Sequence, residues 1–205
     1  MNTLQMITNF LLILAVTALY GLIHSLLASK KAKVLASDWM GSRYSWYRLA
    51  YNIFAFITLL PLLAVAVTLP DKAIYSLPAP WSWLFLLLQL AGLIFAIMAV
   101  FQTGFGQLSG LRQLVEKPGE PSTGKLETGG LYRLVRHPIY TGSILFLWAA
   151  PELTWNGLAL KAAFTLYFIV GGIVEEKKLV EEFGEEYRSY RMKTPMIIPW
   201  IKKST

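Results

Sequence analysis

The chain has 205 residues, more than half of them apolar and only 15% charged, against roughly 25% in soluble domains. It contains no cysteine and two histidines, which excludes disulfides, thiolate metal sites and a cysteine nucleophile and leaves no metal centre to expect. Its net charge of +7 is distributed in a way that indicates membrane topology rather than a nucleic-acid face.

Taken in chain order, the first predicted element is a span at about Thr3–Ala28, long enough for the roughly 20 apolar residues that a bilayer core requires. Lys30, Lys31 and Lys33 follow it instead of preceding it, so it reads as a retained helix and not as a signal peptide. A second span is predicted at about Tyr47–Leu69, with Pro61 tolerated inside it, and a third at about Trp81–Thr103. Trp81 and Trp83 suit an interfacial aromatic belt. A long connection, about 104–136, is rich in Gly, Pro, Ser and Thr; Glu116–Lys125 reads as a surface loop, and loops of this length also serve as lids. Two shorter runs, Ile139–Ala150 and about Leu158–Val174, flank PELTWN and suit a helical hairpin.

The expected fold class is therefore all-α: a five-span membrane bundle with a C-terminal hairpin and a cytoplasmic tail. It forms one membrane domain, with a three-helix part at 1–103 and a second part at 104–205. All Lys and Arg except Lys72 and Lys161 fall after span one, after span three or in the tail. By the positive-inside rule the N-terminus is outside and the C-terminus cytoplasmic, in a plasma or inner membrane.

The polar residues that need a reason gather at the start of the fourth run, in GGLYRLVRHPIYTG. Proline holds His137 out of helical geometry and suits the first helical turn itself, which places Tyr140 on that turn. The positive end of the helix there favours an anionic group. Glu175 and Glu176 close the fifth run, at the wrong end for the helix dipole and at the very edge of an apolar helix. Phe183, Tyr187 and Tyr190 recur at helical spacing as one aromatic face. PMIIPW then suits an extended segment folded back under the protein. His24, near the end of span one, reads as an interhelical hydrogen-bonding residue.

RHPIYTG, a hairpin, and then EEKKLVEEFGEEYRSYRMKTPMIIP together resemble the C-terminal signature of the integral-membrane methyltransferases. That family includes isoprenylcysteine carboxyl methyltransferase, phosphatidylethanolamine N-methyltransferase and methanethiol S-methyltransferase. The resemblance covers about Gly129–Pro199. HSLLAS and YRLAYN more faintly resemble the methanethiol methyltransferase and NnrU-like branch. The resemblance implies S-adenosylmethionine as cofactor, bound in a cytoplasmic pocket formed by the last two spans and the tail. It implies cofactor contacts from Arg136, His137, Tyr140, Gly142, Glu175 and Glu176, with Tyr187, Tyr190 and the Pro195–Pro199 stretch, Ile198 included, covering the pocket.

Bottom-up chemistry agrees in kind. Glu175 or Glu176 suits an ammonium, Arg136 a carboxylate, and tyrosine faces an adenine or a sulfonium. The acceptor is expected to be lipidic or a small hydrophobic molecule. A carboxylate acceptor would be oriented by Arg133 or Arg136; a thiol or amine needs a base, for which His137 and His24 are the candidates. Thiol and carboxylate are favoured. An alternative from another class is a non-catalytic NnrU-like protein with a haem or quinol role, which would require both histidines as haem ligands. A sterol-reductase-like enzyme using a nicotinamide cofactor is a third, for which the chain is too short and has too few spans.

Overall fold

A computed structural model describes residues 2–115 and 126–199. The Glu116–Lys125 loop and Trp200 of the terminal motif lie outside the described residues, as do Lys202 and Lys203. The described chain is predominantly helical. Four helical stretches in it are long and apolar enough to cross a membrane: Thr3–Leu27, Lys30–Thr68, Trp81–Thr103 and Trp155–Lys193. It divides into two compact units, each drawing on both halves of the sequence.

The first unit takes in residues 2–76, 105–115 and 152–167. Helix α1 (Thr3–Leu27) starts where the Asn2 side chain accepts a hydrogen bond from Gln5 N at 2.8 Å. Helix α2 (Lys30–Met40) is capped by Ser29 and ends at Gly41, whose φ of 53° breaks the helix. A 3-10 segment, Gly41–Trp46, leads into α3 (Tyr47–Thr68). Pro61 lies inside α3, as expected of a membrane helix.

Strand β1 (Ala73–Ser76) pairs antiparallel with β2 (Glu152–Thr154), a two-stranded link that no apolar run announced. The two short helices α5 (Phe105–Ser109) and α6 (Arg112–Val115) also belong to this unit; Asn52 of α3 donates to the carbonyls of Leu108 and Ser109, the last two residues of α5. Ile13, Ala66 and Ala159 form its apolar centre. Helix α8 begins at Trp155, with the Thr154 hydroxyl accepting from Gly157 N at 3.0 Å. Asn156, almost fully enclosed, donates to the carbonyls of Ala66, Leu69 and Pro70, and thereby satisfies the end of α3.

The second unit takes in residues 77–104, 126–151 and 168–199. Helix α4 (Trp81–Thr103) and helix α7 (Pro138–Trp148) pack with their backbones nearly touching. A Cβ on Gly142 would lie 2.6 Å from Ala96 N and 2.7 Å from Gly92 O. A Cβ on Gly92 would lie 2.6 Å from Phe146 N. Gln89 adds a side-chain bond to the Phe146 carbonyl at 3.1 Å.

Helix α8 runs from Trp155 to Lys193 and thus extends beyond the predicted 158–174 span at both ends. Lys161, expected in a connection, sits on an early turn of this helix. At Gly184 the backbone turns to φ 56° and ψ −127°, so the acidic stretch and the tyrosines after it do not share one helix. The predicted continuous face of Phe183, Tyr187 and Tyr190 is therefore interrupted: the first residue precedes the break and the two tyrosines follow it.

Candidate functional site

The site is built at the start of α7, inside the second unit. His137 is the residue before the first helical turn, with φ −122° and ψ 67°, and Pro138 occupies the first position, as the sequence predicts. The two backbone N–H groups just ahead of the helix are committed to the tail. Residues 194–199 pass across this helix start as a strap: Arg136 N donates to Pro195 O at 2.9 Å and His137 N to Met196 O at 3.0 Å. Thr141, one turn on, donates its hydroxyl to Ile197 O at 2.6 Å. The tail thus folds back as the PMIIPW pattern suggests, held chiefly by main-chain groups.

Arg136 and Glu176 meet. The guanidinium Nε donates to Glu176 Oε1 at 2.7 Å and Nη2 contacts the same oxygen, with both side chains about nine-tenths enclosed. Nη1 serves the carbonyls of Arg191 and Thr194. Arg136 therefore joins α7, α8 and the strap.

Glu175 is the more open carboxylate, its side chain 48% exposed. Tyr140 donates to its Oε2 at 3.0 Å, and His137 Nδ1 lies 3.6 Å from the same atom. His137 is buried, with Nε2 3.4 Å from Glu176 Oε1 but without hydrogen-bond geometry. The His137 and Tyr140 rings stack at 5.3 Å and 7°, and Tyr140 continues the stack onto Phe168 at 5.3 Å and 15°. The result is a carboxylate beside a three-ring aromatic wall.

The other expected residues take more varied places. Tyr187 is 1% exposed. Tyr190 donates to the Tyr132 carbonyl. Gly142 is buried against α4, where the approach of Ala96 and Gly92 accounts for the absence of a side chain. Ile198 stands 57% exposed on the strap. Arg133 lies exposed on the 3-10 turn Gly130–Arg133, with no ion pair among the described residues.

His24 belongs to the first unit, 2% exposed, with Nε2 3.0 Å from Thr58 Oγ1 and the Tyr20 ring at 4.2 Å. That is the interhelical hydrogen bond expected of it. Among the described residues no group of three or more His, Cys, Asp or Glu is arranged to hold a metal.

Sequence reasoning passed over several residues that order the site. Gln102, at the end of α4, donates to Gly129 O at 2.8 Å and accepts from Leu131 N at 3.1 Å, fixing the turn that precedes Arg136. Thr103 bonds the Tyr132 hydroxyl. Gly172 leaves room for Met196 and His137, since a Cβ there would lie 2.5 Å from Met196 Cε. A polar Gln closing an apolar span was the available signal.

A family model described as "Protein of unknown function (DUF1295)" matches residues 29–194. Methanethiol S-methyltransferase 1 of Bradyrhizobium diazoefficiens is 34% identical over 192 residues, covering 91% of this chain and 66% of its own length. Methanethiol S-methyltransferase of Pseudomonas deceptionensis is 37% identical over 110 residues, 53% of this chain and 42% of its own. Protein-S-isoprenylcysteine O-methyltransferase of Schizosaccharomyces pombe is 37% identical over 81 residues, 37% of this chain and 34% of its own. The chain spans less than two thirds of the length of each of these relatives. No solved structure matches it.

Proposed function

The chain belongs to the DUF1295 family, and on that footing we propose that it is an integral-membrane methyltransferase using S-adenosylmethionine. The relatives named as methanethiol and isoprenylcysteine methyltransferases support this reading. We place α7 and α8 as the fourth and fifth spans of a hairpin, with the N-terminus outside and the C-terminus cytoplasmic. The acceptor is a lipidic or small hydrophobic molecule, with a thiol or carboxylate favoured and an amine also accommodated.

The observation that carries the proposal is the half-open Glu175 beside the His137–Tyr140–Phe168 wall. Its chemistry fits the cofactor: a carboxylate for the ammonium, and ring faces for the adenine or the positively charged sulfur. When bound, S-adenosylmethionine supplies an electrophilic methyl group. Arg136 and Glu176, committed to each other and to the strap carbonyls, hold the walls in place. Glu175 takes the role of ammonium ligand. The ligand's carboxylate falls to the exposed Arg133 or to Arg191, which is half exposed with Nη1 4.0 Å from Glu176 Oε2. Tyr187, Tyr190 and the strap carrying Ile198 close the receptacle, and Gly142 keeps α7 tight against α4.

Methyl transfer depends on positioning and water exclusion, which the rings and strap provide. A thiol or amine acceptor loses its proton to His137, whose Nδ1 faces Glu175; a carboxylate acceptor needs none removed.

Titration calorimetry with S-adenosylhomocysteine tests the assignment. Glu175→Gln is expected to weaken binding at least tenfold, about 1.4 kcal/mol, with an unchanged unfolding midpoint. Unaltered affinity would remove Glu175 from the site. Turnover with methyl-labelled S-adenosylmethionine and a panel of thiols, prenylated cysteines and lipids identifies the acceptor class, and absence of transfer to any of them would count against the activity.

A further inference from the structure

Helix α2 has no part in the methyl-transfer site, yet it is patterned and placed for a specific environment. Ala32, Leu35, Ala36, Trp39 and Met40 recur at i, i+3, i+4, i+7 and i+8, so they share one side. Lys30, Lys31, Lys33, Ser37 and Asp38 make up the other, with one exposed apolar residue, Val34, among them. No residue of α2 is buried by the protein. Leu35 is 69% and Trp39 88% exposed, one helical turn apart. Two large apolar side chains projecting in this way from a lysine-rich helix are unfavourable in water.

The neighbouring helices fix where α2 lies. Helices α1 and α3 have 25 and 22 residues, each enough to cross a hydrocarbon core of about 30 Å. Their adjoining ends are level, because the Tyr47 hydroxyl donates to Leu27 O at 2.7 Å. The chain between them must leave and return at the same membrane face. The helix break at Gly41 lets α2 turn away from the direction of α3. Trp46, 55% exposed at the far end of the 3-10 segment, adds an interfacial anchor.

We propose that α2 is an interfacial helix bound to anionic lipid, with Leu35 and Trp39 sunk among the acyl chains and its lysines on the phosphate-bearing headgroups. The charge balance supports an anionic partner: three lysines stand against the single carboxylate of Asp38. Lysine stems lie along the apolar boundary while their ammonium groups reach the headgroups. This requires only that α1 and α3 span the bilayer, and nothing of the methyl transfer.

The absence of native cysteine makes the test clean. The full-length protein with Leu35→Cys carries an environment-sensitive fluorophore and is reconstituted into vesicles of phosphatidylcholine alone or mixed with phosphatidylglycerol. Position 35 is expected to be quenched by lipid bearing a shallow spin label. It should be shielded several-fold from aqueous acrylamide, relative to the same probe at Ser37→Cys. Adding phosphatidylglycerol should deepen that shielding, and high salt or Lys→Gln at positions 30, 31 and 33 should abolish the deepening. Free access of acrylamide to position 35, or shielding indifferent to phosphatidylglycerol, overturns the proposal. Because the side chain at position 35 is mostly exposed, loss of folding is not a competing outcome; the unfolding midpoint in detergent reports it independently.

Discussion

Arg136→Ala is expected to cost roughly 3–5 kcal/mol of stability, seen as a marked fall in the unfolding midpoint of the detergent-solubilised protein. Three losses coincide. The Glu176 carboxylate, about nine-tenths enclosed, loses its closest ion-pair partner and keeps only the longer approach of Arg191 at 4.0 Å and of His137 at 3.4 Å. The carbonyls of Arg191 and Thr194 lose their donor. The strap then depends on its main-chain bonds at Arg136 and His137 and on the Thr141 hydroxyl. Breaking one side of an enclosed pair is more damaging than replacing both, because the charge left behind is shielded from water and poorly compensated. A double variant, Arg136→Met with Glu176→Leu, should therefore be more stable than either single truncation. Strict additivity of the two single effects would show that the pair is not coupled. Activity lost in Arg136→Ala should thus be read together with stability, since this residue positions the site's walls.

Gly142→Val should be comparably damaging, about 3 kcal/mol, for a different physical reason. The new carbons would fall against the Ala96 amide and the Gly92 carbonyl, and backbone atoms cannot swing aside as a flexible side chain can. Gly142→Ala is the sharper measurement. Helix propensity alone favours Ala over Gly by about 1 kcal/mol, so a loss of stability in spite of that gain isolates the clash between α4 and α7. A stabilised Gly142→Ala would mean that the helices are not so close. Small residues at such a contact let two apolar helices approach where lipid offers no hydrophobic driving force between them.

Much of this architecture was legible in the sequence because long apolar runs are set by bilayer thickness. The predicted Thr3–Ala28, Tyr47–Leu69 and Trp81–Thr103 runs agree with α1, α3 and α4 to within a residue. His137-Pro138 marked the start of α7 because proline restricts its own geometry and that of the residue before it. The meeting of Arg136 with Glu176 was legible only as a convergence. Spacing brings both to the site, but it does not say that they neutralise each other instead of each holding a part of the ligand. That choice is made by burial, which rewards pairing. The pairing of β1 with β2 was invisible because three or four residues carry too little periodicity to register. Helix α8 was read short, as apolarity fades after Val174 although helical hydrogen bonding continues through the charged turns.

The bends at Gly41 and Gly184 have nearly the same backbone geometry, (53°, −121°) and (56°, −127°). Inverted through the origin, both become ordinary extended conformations of an L-residue, so each position has the handedness of a D-amino acid. An added Cβ would meet nothing within 4 Å at either place. The two corners thus discriminate the handedness of any residue that replaces the glycine. A semisynthetic protein with D-alanine at position 184 should be stiffened without strain, whereas its L-alanine twin, identical in composition, would push the same corner toward straightening.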